Sequence, residues 1–318
     1  MKGLELARNY YNAYIGHLLA AVPEARGRIA AGLVGEGSQC FGYDDEISQD
    51  HDFGPGFCIW LTDTDFAAFG PKLQEAYDAL PDEFEGFSRK GFIARDRFGV
   101  MTISGFYDRF TGTPEGVPSM HLDWFFASEH HLAAATNGEI FVDDLGFFTG
   151  IREGLLRFYP EDVRRKKIAA RAAVMSQAGQ YNLLRCIRRQ DTVSATLSLA
   201  RFTEAAISMA HLLEGCYTPF YKWGFRSLQA LKLGNRFAPH ISRLAELEAS
   251  LYEGDYNKAF NQAFAITECI CKEAAEELRS QGLSSVSSSF LQDHLPEIMG
   301  GIEDDTLRGL PPMMDCQN

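Results

Sequence analysis

Five consecutive apolar residues, Phe57-Cys58-Ile59-Trp60-Leu61, stand between the breakers Gly54-Pro55-Gly56 and the polar pair Thr62-Asp63. So short an apolar run bounded by turn residues reads as a strand over 56–62. Asp50-His51-Asp52 comes just before it. On an extended segment residues two apart share a face, so Asp50 and Asp52 point the same way. Two carboxylates that close disfavour mutual ionisation unless a cation compensates. Hard oxygen ligands in this arrangement favour Mg²⁺ or Mn²⁺ shared with substrate phosphates.

A second feature lies upstream, in Leu33-Val34-Gly35-Glu36-Gly37-Ser38-Gln39-Cys40, with eleven residues between Ser38 and Asp50. Residues 28–35 read as a strand that ends in glycines, which let the backbone approach a ligand closely. A short helix after Ser38 would offer free N–H groups to a triphosphate. Around these strands, Leu4, Ala7, Tyr11, Tyr14, Ile15 and Leu18 recur at helical spacing until Pro23. The stretch Asp65 to Leu80 reads as a helix ended by Pro81, and Val100 to Phe106 as a further strand.

From about residue 150 the pattern turns helical. Pro160-Glu161-Asp162 opens a helix with acids in its first turn, and Arg164-Arg165-Lys166-Lys167 then reads as a solvated face. Gln177, Gln180, Tyr181 and Arg185 fall near one helical face, either lining a cleft or pairing with acids of the first domain. Thr192 to Leu213 reads as a buried bundle helix. On it Glu204 is costly unless paired, and two readings stand: an ion pair with Arg201, or a general base with a raised pKa. Tyr217-Thr218-Pro219-Phe220-Tyr221-Lys222-Trp223 sets a lysine among aromatics, where Lys222 would reach phosphates and Tyr221 or Tyr217 would stack on a base, unless the patch is interdomain packing. Residues 240–281 read as two more helices, and the tail from Gly309 offers no chemistry.

Gly37-Ser38, a gap of this length, then Asp50-x-Asp52 opening a strand resembles the signature of the polymerase-beta-like nucleotidyltransferase superfamily. The wider run from Gly37 to Pro55, with Thr136 to Phe141 and Tyr217 to Trp223, is similar to a bacterial branch known mostly as a domain of unknown function. The resemblance implies an α/β nucleotidyltransferase domain with a mixed sheet over 1–150 and an all-α helical bundle over 151–318. It implies Mg²⁺-dependent transfer of a nucleoside monophosphate, most simply AMP from ATP, to a hydroxyl of a small molecule or protein. Gly37 and Ser38 would cradle the triphosphate, Asp50 and Asp52 would hold the metal, and Lys222, Tyr221 and Arg185 would contact the nucleotide. Glu204 would serve as the base. The superfamily's third carboxylate is expected on the strand from Val100, where no acid occurs. Asp96, Asp108 and Asp123 are nearby alternatives, with Asp108 also suited to pairing Arg109 and Asp123 to capping a helix. Loss of that acid leaves a rival reading, a catalytically silent nucleotide-binding regulator or antitoxin-like partner protein.

Composition narrows the partners. At 318 residues the chain exceeds one ordinary domain, and its formal charge of −13 disfavours long nucleic acid and anionic membrane, which need positive surface. The seven cysteines form no metal-ligand spacing and are expected to be reduced thiols in a cytoplasmic protein. No signal peptide or bilayer-spanning stretch is expected.

Overall fold

The structure, a computed structural model, describes residues 1–49, 53–90 and 97–315. In chain order the first elements are α1 (Gly3–Ala21), β1 (Ala30–Leu33), α2 (Ser38–Phe41), β2 (Cys58–Leu61) and α3 (Asp63–Asp78). A two-strand ribbon, β3 (Glu83–Phe84) and β4 (Phe87–Ser88), then leads to β5 (Gly99–Thr102) and α4 (Ile103–Thr111). Next come α5 (His121–Phe126), α6 (Glu129–Thr136), β6 (Glu139–Asp143) and α7 (Phe147–Leu156). The remainder is helical: α8 (Glu161–Met175), a π-helix over Ser176–Leu183, α9 (Leu184–Arg188), α10 (Thr192–Glu214), α11 (Tyr221–Leu228), α12 (Gly234–Tyr252), α13 (Tyr256–Ser280), α14 (Leu295–Gly300) and α15 (Asp305–Gly309). The protein is thus mixed α/β followed by helices. Among the described residues no helix is long and apolar enough to cross a membrane.

Two compact units result, Met1–Ser119 with His131–Arg157, and Met120–His130 with Phe158–Asn318. The first is built on a four-stranded mixed sheet in the order β5-β2-β1-β6. β1 is antiparallel to both β2 and β6, while β2 and β5 run parallel. Both central strands are buried throughout, which explains the unbroken apolar run of β2. Tyr10 of α1, Phe69, Leu73 and Tyr77 of α3, and Phe57, Ile59 and Leu61 form one core. Tyr77 fixes the start of β2 by donating its hydroxyl hydrogen to the Phe57 carbonyl at 2.8 Å and accepting the Phe57 N–H at 2.9 Å.

The strand expected over Val100–Phe106 stops at Thr102, which departs from that expectation. Thr102 Oγ1 accepts the Gly105 N–H at 2.9 Å and caps α4, so Ile103 and Phe106 pack from a helix instead. The Asp108–Arg109 pair does not form as expected either: neighbours on a helix point about 100° apart, and Arg109 reaches Glu36. Asp123 caps nothing; it is an exposed residue within α5, whose N-cap is Met120.

In the second unit α8, the π-helix and α10 pack together, with α12 against α13 and α14 against α8. The basic run departs most from its expectation. Lys166 and Lys167 are both 0% exposed, because Lys166 Nζ donates to the carbonyls of Pro312 (3.2 Å) and Met314 (2.6 Å) while Lys167 Nζ pairs with Asp315 at 3.0 Å. The segment beyond Gly309, expected to be chemically silent, therefore supplies the lysines' partners. Gln180 is held within its own unit. It donates to Glu268 and Ser289 O and accepts the Leu291 N–H, all at 3.0 Å.

Candidate functional site

Strand register gathers the first candidate site. Gly32 pairs with Cys58, Cys58 with Gly99, and Leu33 with Glu139. The chain leaving β1 and the chains entering β2, β5 and β6 therefore share one end of the sheet. The β1 exit turns at Gly35 (φ +127°) and Gly37 (φ +109°), values that L side chains rarely adopt. Asn137 staples the exit by accepting the Gly35 N–H at 2.9 Å and donating to the Gly35 carbonyl at 2.7 Å. Arg152 in turn holds the carbonyls of Thr136 (2.7 Å) and Asn137 (3.0 Å).

At this sheet end Gly37 caps α2 and Ser38 is its first residue, half-buried. A Cβ on Gly37 would lie 3.3 Å from an Arg97 guanidinium nitrogen, so the bare glycine backbone faces a cation. Asp50, His51, Asp52 and Asp96 lie outside the described residues, which resume at Phe53 and Arg97. The two thiols here are inert. Burial pushes Cys40 up to about 12 and Cys58 higher still, and Cys58 donates to the Arg97 carbonyl at 3.0 Å. Among the described residues no group of three His, Cys, Asp or Glu could hold a metal ion.

The second candidate site is a cavity of about 380 Å³ wholly within the helical unit. Its polar lining is Ser128, Glu129, His130, Glu204, Ser208 and Thr218. Ile207, Pro219, Phe220, Tyr221 and Gly224 complete the wall. Glu129, 7% exposed, is the best-anchored group in it. Its carboxylate accepts from Arg171 (2.6 Å), Ser208 (2.9 Å) and Thr218 (2.6 Å). Arg171 also donates to Ser208 at 2.6 Å and pairs with Asp315, so a buried charge network floors the cavity. His130 meets Ser128 Oγ at 2.9 Å and stands edge-on to Phe220. Behind the wall His211 is fully buried and held neutral, since burial lowers its pKa. Its Nδ1 faces the Ile207 carbonyl at 2.8 Å and must carry the hydrogen, leaving Nε2 to accept from Ser227.

The expected site residues divide between these places. Glu204 and Tyr221 line the same cavity, both exposed. Exposure removes the cost that called for an Arg201 partner, and no ion pair joins the two residues. Lys222 is exposed, its Nζ 5.1 Å from the Trp223 ring centre. Arg185 stands apart from that cavity, stacked 3.5 Å over Tyr181. Sequence reasoning passes over Glu129, Ser208 and Arg171 altogether. Of the groups bonded to Glu129, Thr218 alone lay inside a run the sequence singled out, the aromatic one.

A family model described as a domain of unknown function, DUF4037, matches residues 124–224. Every residue lining the cavity falls inside that stretch. No curated protein matches the chain. A crystal structure of a nucleotidyltransferase-like protein from Exiguobacterium sibiricum 255-15 aligns over 92% of this chain and 91% of its own, at 10% identity and a TM-score of 0.36. A likeness that low assigns neither fold nor activity.

Proposed function

We propose that the protein is a metal-dependent nucleotidyltransferase moving a nucleoside monophosphate, most simply AMP from ATP, to a hydroxyl acceptor. The observation that carries this reading is the strand register. Gly32 opposite Cys58 brings the Gly37-Ser38 turn and the segment leading out of Asp50-x-Asp52 to one sheet end. On this reading the cradle and the carboxylate pair, which precedes Phe53 in sequence, serve one triphosphate. The glycine conformations and the Arg97 guanidinium beside Gly37 support it, since bare backbone and a cation suit a phosphate oxygen.

On this reading Asp50 and Asp52 hold Mg²⁺ or Mn²⁺, which supplies charge neutralisation on the nucleotide phosphates when bound. Gly37 and Ser38 orient the triphosphate and Arg97 offsets charge on the departing pyrophosphate. The test is transfer of label from [α-³²P]ATP, with CTP, GTP and UTP in parallel, and release of pyrophosphate by the purified chain with Mg²⁺. Asp50→Asn with Asp52→Asn should lower turnover by at least about 100-fold. Wild-type turnover in that double variant would sink the proposal.

A further inference from the structure

We propose that Lys166, Lys167 and Arg171 form a binding site for a small oxyanion, phosphate or carboxylate, and that the segment Pro311–Asp315 is a displaceable strap whose Asp315 occupies it. All three cations lie on α8 and are at most 1% exposed. Burying an ammonium is costly unless something on the spot compensates it, and here nearly all of the compensation is borrowed from the strap. Asp315 spans two cations as an oxyanion would, one carboxylate oxygen on Lys167 at 3.0 Å and the other on Arg171. Lys166 receives no carboxylate, only the strap's carbonyls at Pro312 and Met314. Without the strap, Arg171 retains Glu129 and Ser208, while both lysines lose these oxygen partners.

The charges are also mismatched. Among the described residues three cations face two carboxylates, Asp315 and Glu129, a set that a dianion would balance better than Asp315 does. The surroundings suit a ligand as well. The Phe125 ring centre is 5.4 Å from both lysine nitrogens, and Tyr159 is 5.2 Å from Lys167. The Tyr159 hydroxyl is buried with no hydrogen-bond partner, a spare donor within electrostatic reach of Asp315 and Arg171. The strap itself is built to leave. Residues 311–314 are exposed on their outer side, and among the described residues the strap's hydrogen bonds and ion pairs to the rest of the unit run through these three cations.

The test is chemical rescue of Asp315→Ala in the full chain, with melting temperature followed against inorganic phosphate or acetate at constant ionic strength. Mass action on a vacated site should raise the variant's melting temperature by at least about 4 °C more than the wild type's. Rescue by phosphate alone identifies a phosphate-bearing ligand; equal rescue by acetate identifies a carboxylate. Equal responses of variant and wild type to both anions overturn the proposal. Should the variant fail to fold, amide exchange of the wild type decides: phosphate should accelerate exchange at Met313 to Asp315, and unchanged exchange overturns the proposal. Neither result touches the nucleotidyl-transfer reading, which rests on other residues.

Discussion

Tyr77→Phe removes one oxygen from a side chain that is 3% exposed and leaves its ring in place. The Phe57 carbonyl keeps a donor, because the Gly99 N–H reaches it at 3.1 Å. The Phe57 N–H has no such reserve: its bond to the Tyr77 hydroxyl is lost and the residue is fully buried. An orphaned buried donor costs about 1–3 kcal/mol, and loss of the second bond adds about 0.5–1.5 kcal/mol less what Gly99 retains. The expected loss is about 2 kcal/mol. Phe57 immediately precedes β2, the strand that follows Asp50-x-Asp52, so the loss also loosens the sheet end. Trp60 is the tryptophan of this unit, so urea unfolding followed by its fluorescence in a Trp124→Phe, Trp223→Phe background reports this unit alone. The midpoint should fall at unchanged slope. A loss below about 0.5 kcal/mol would refute the reasoning, since it would mean that the Phe57 amide finds another partner at no cost.

Two further outcomes are expected. Burial lowers Lys166 to about 8, below its unfolded value of about 10.5, so between those values the unfolded chain binds the extra proton and stability rises with pH. The difference in unfolding free energy between wild type and Lys166→Met, measured from pH 7 to 10.5, should shift toward wild type as pH increases; a flat difference would contradict the burial argument. Gly138→Ala and Gly112→Ala both place a side chain at positive φ, +66° and +74°, but only the first drives Cβ into the Leu33 carbonyl oxygen, while the second meets nothing within 4 Å. Gly112→Ala should cost about 1 kcal/mol and Gly138→Ala at least about 2 kcal/mol more by chemical denaturation, and equal losses would show that the β1–β6 contact relaxes.

What was legible in the sequence was local. The breakers around Phe57–Leu61 delimit β2, and Pro23 stops α1, because turn residues and apolar spacing act within a few positions. Thr102 misled because Ile103 and Phe106 continue the apolar run, and the pattern alone does not tell a buried strand from a capped helix. Lys166 and Lys167 misled for a different reason. A charge run usually faces water, and here its partners lie some 146–148 positions downstream, beyond any local pattern. Glu129 was hidden likewise, its partners Arg171, Ser208 and Thr218 lying 42, 79 and 89 positions away. The Gly37-Ser38 turn was found because backbone conformation is written in the glycines themselves.

The sheet order also sets a timetable for assembly. β1 is central, yet its second neighbour, β6, is the last strand of the sheet to be synthesised, and Asn137 just ahead of it is what staples Gly35. Closing so long a loop is entropically slow, and a nascent chain that has released only β1, β2 and β5 still presents one side of β1 as an open hydrogen-bonding edge. The glycine turn thus acquires its shape only once Asn137 has left the ribosome. During that interval the unit's greatest exposure is to strand-to-strand aggregation along β1, the same strand that later delivers the turn to the sheet end.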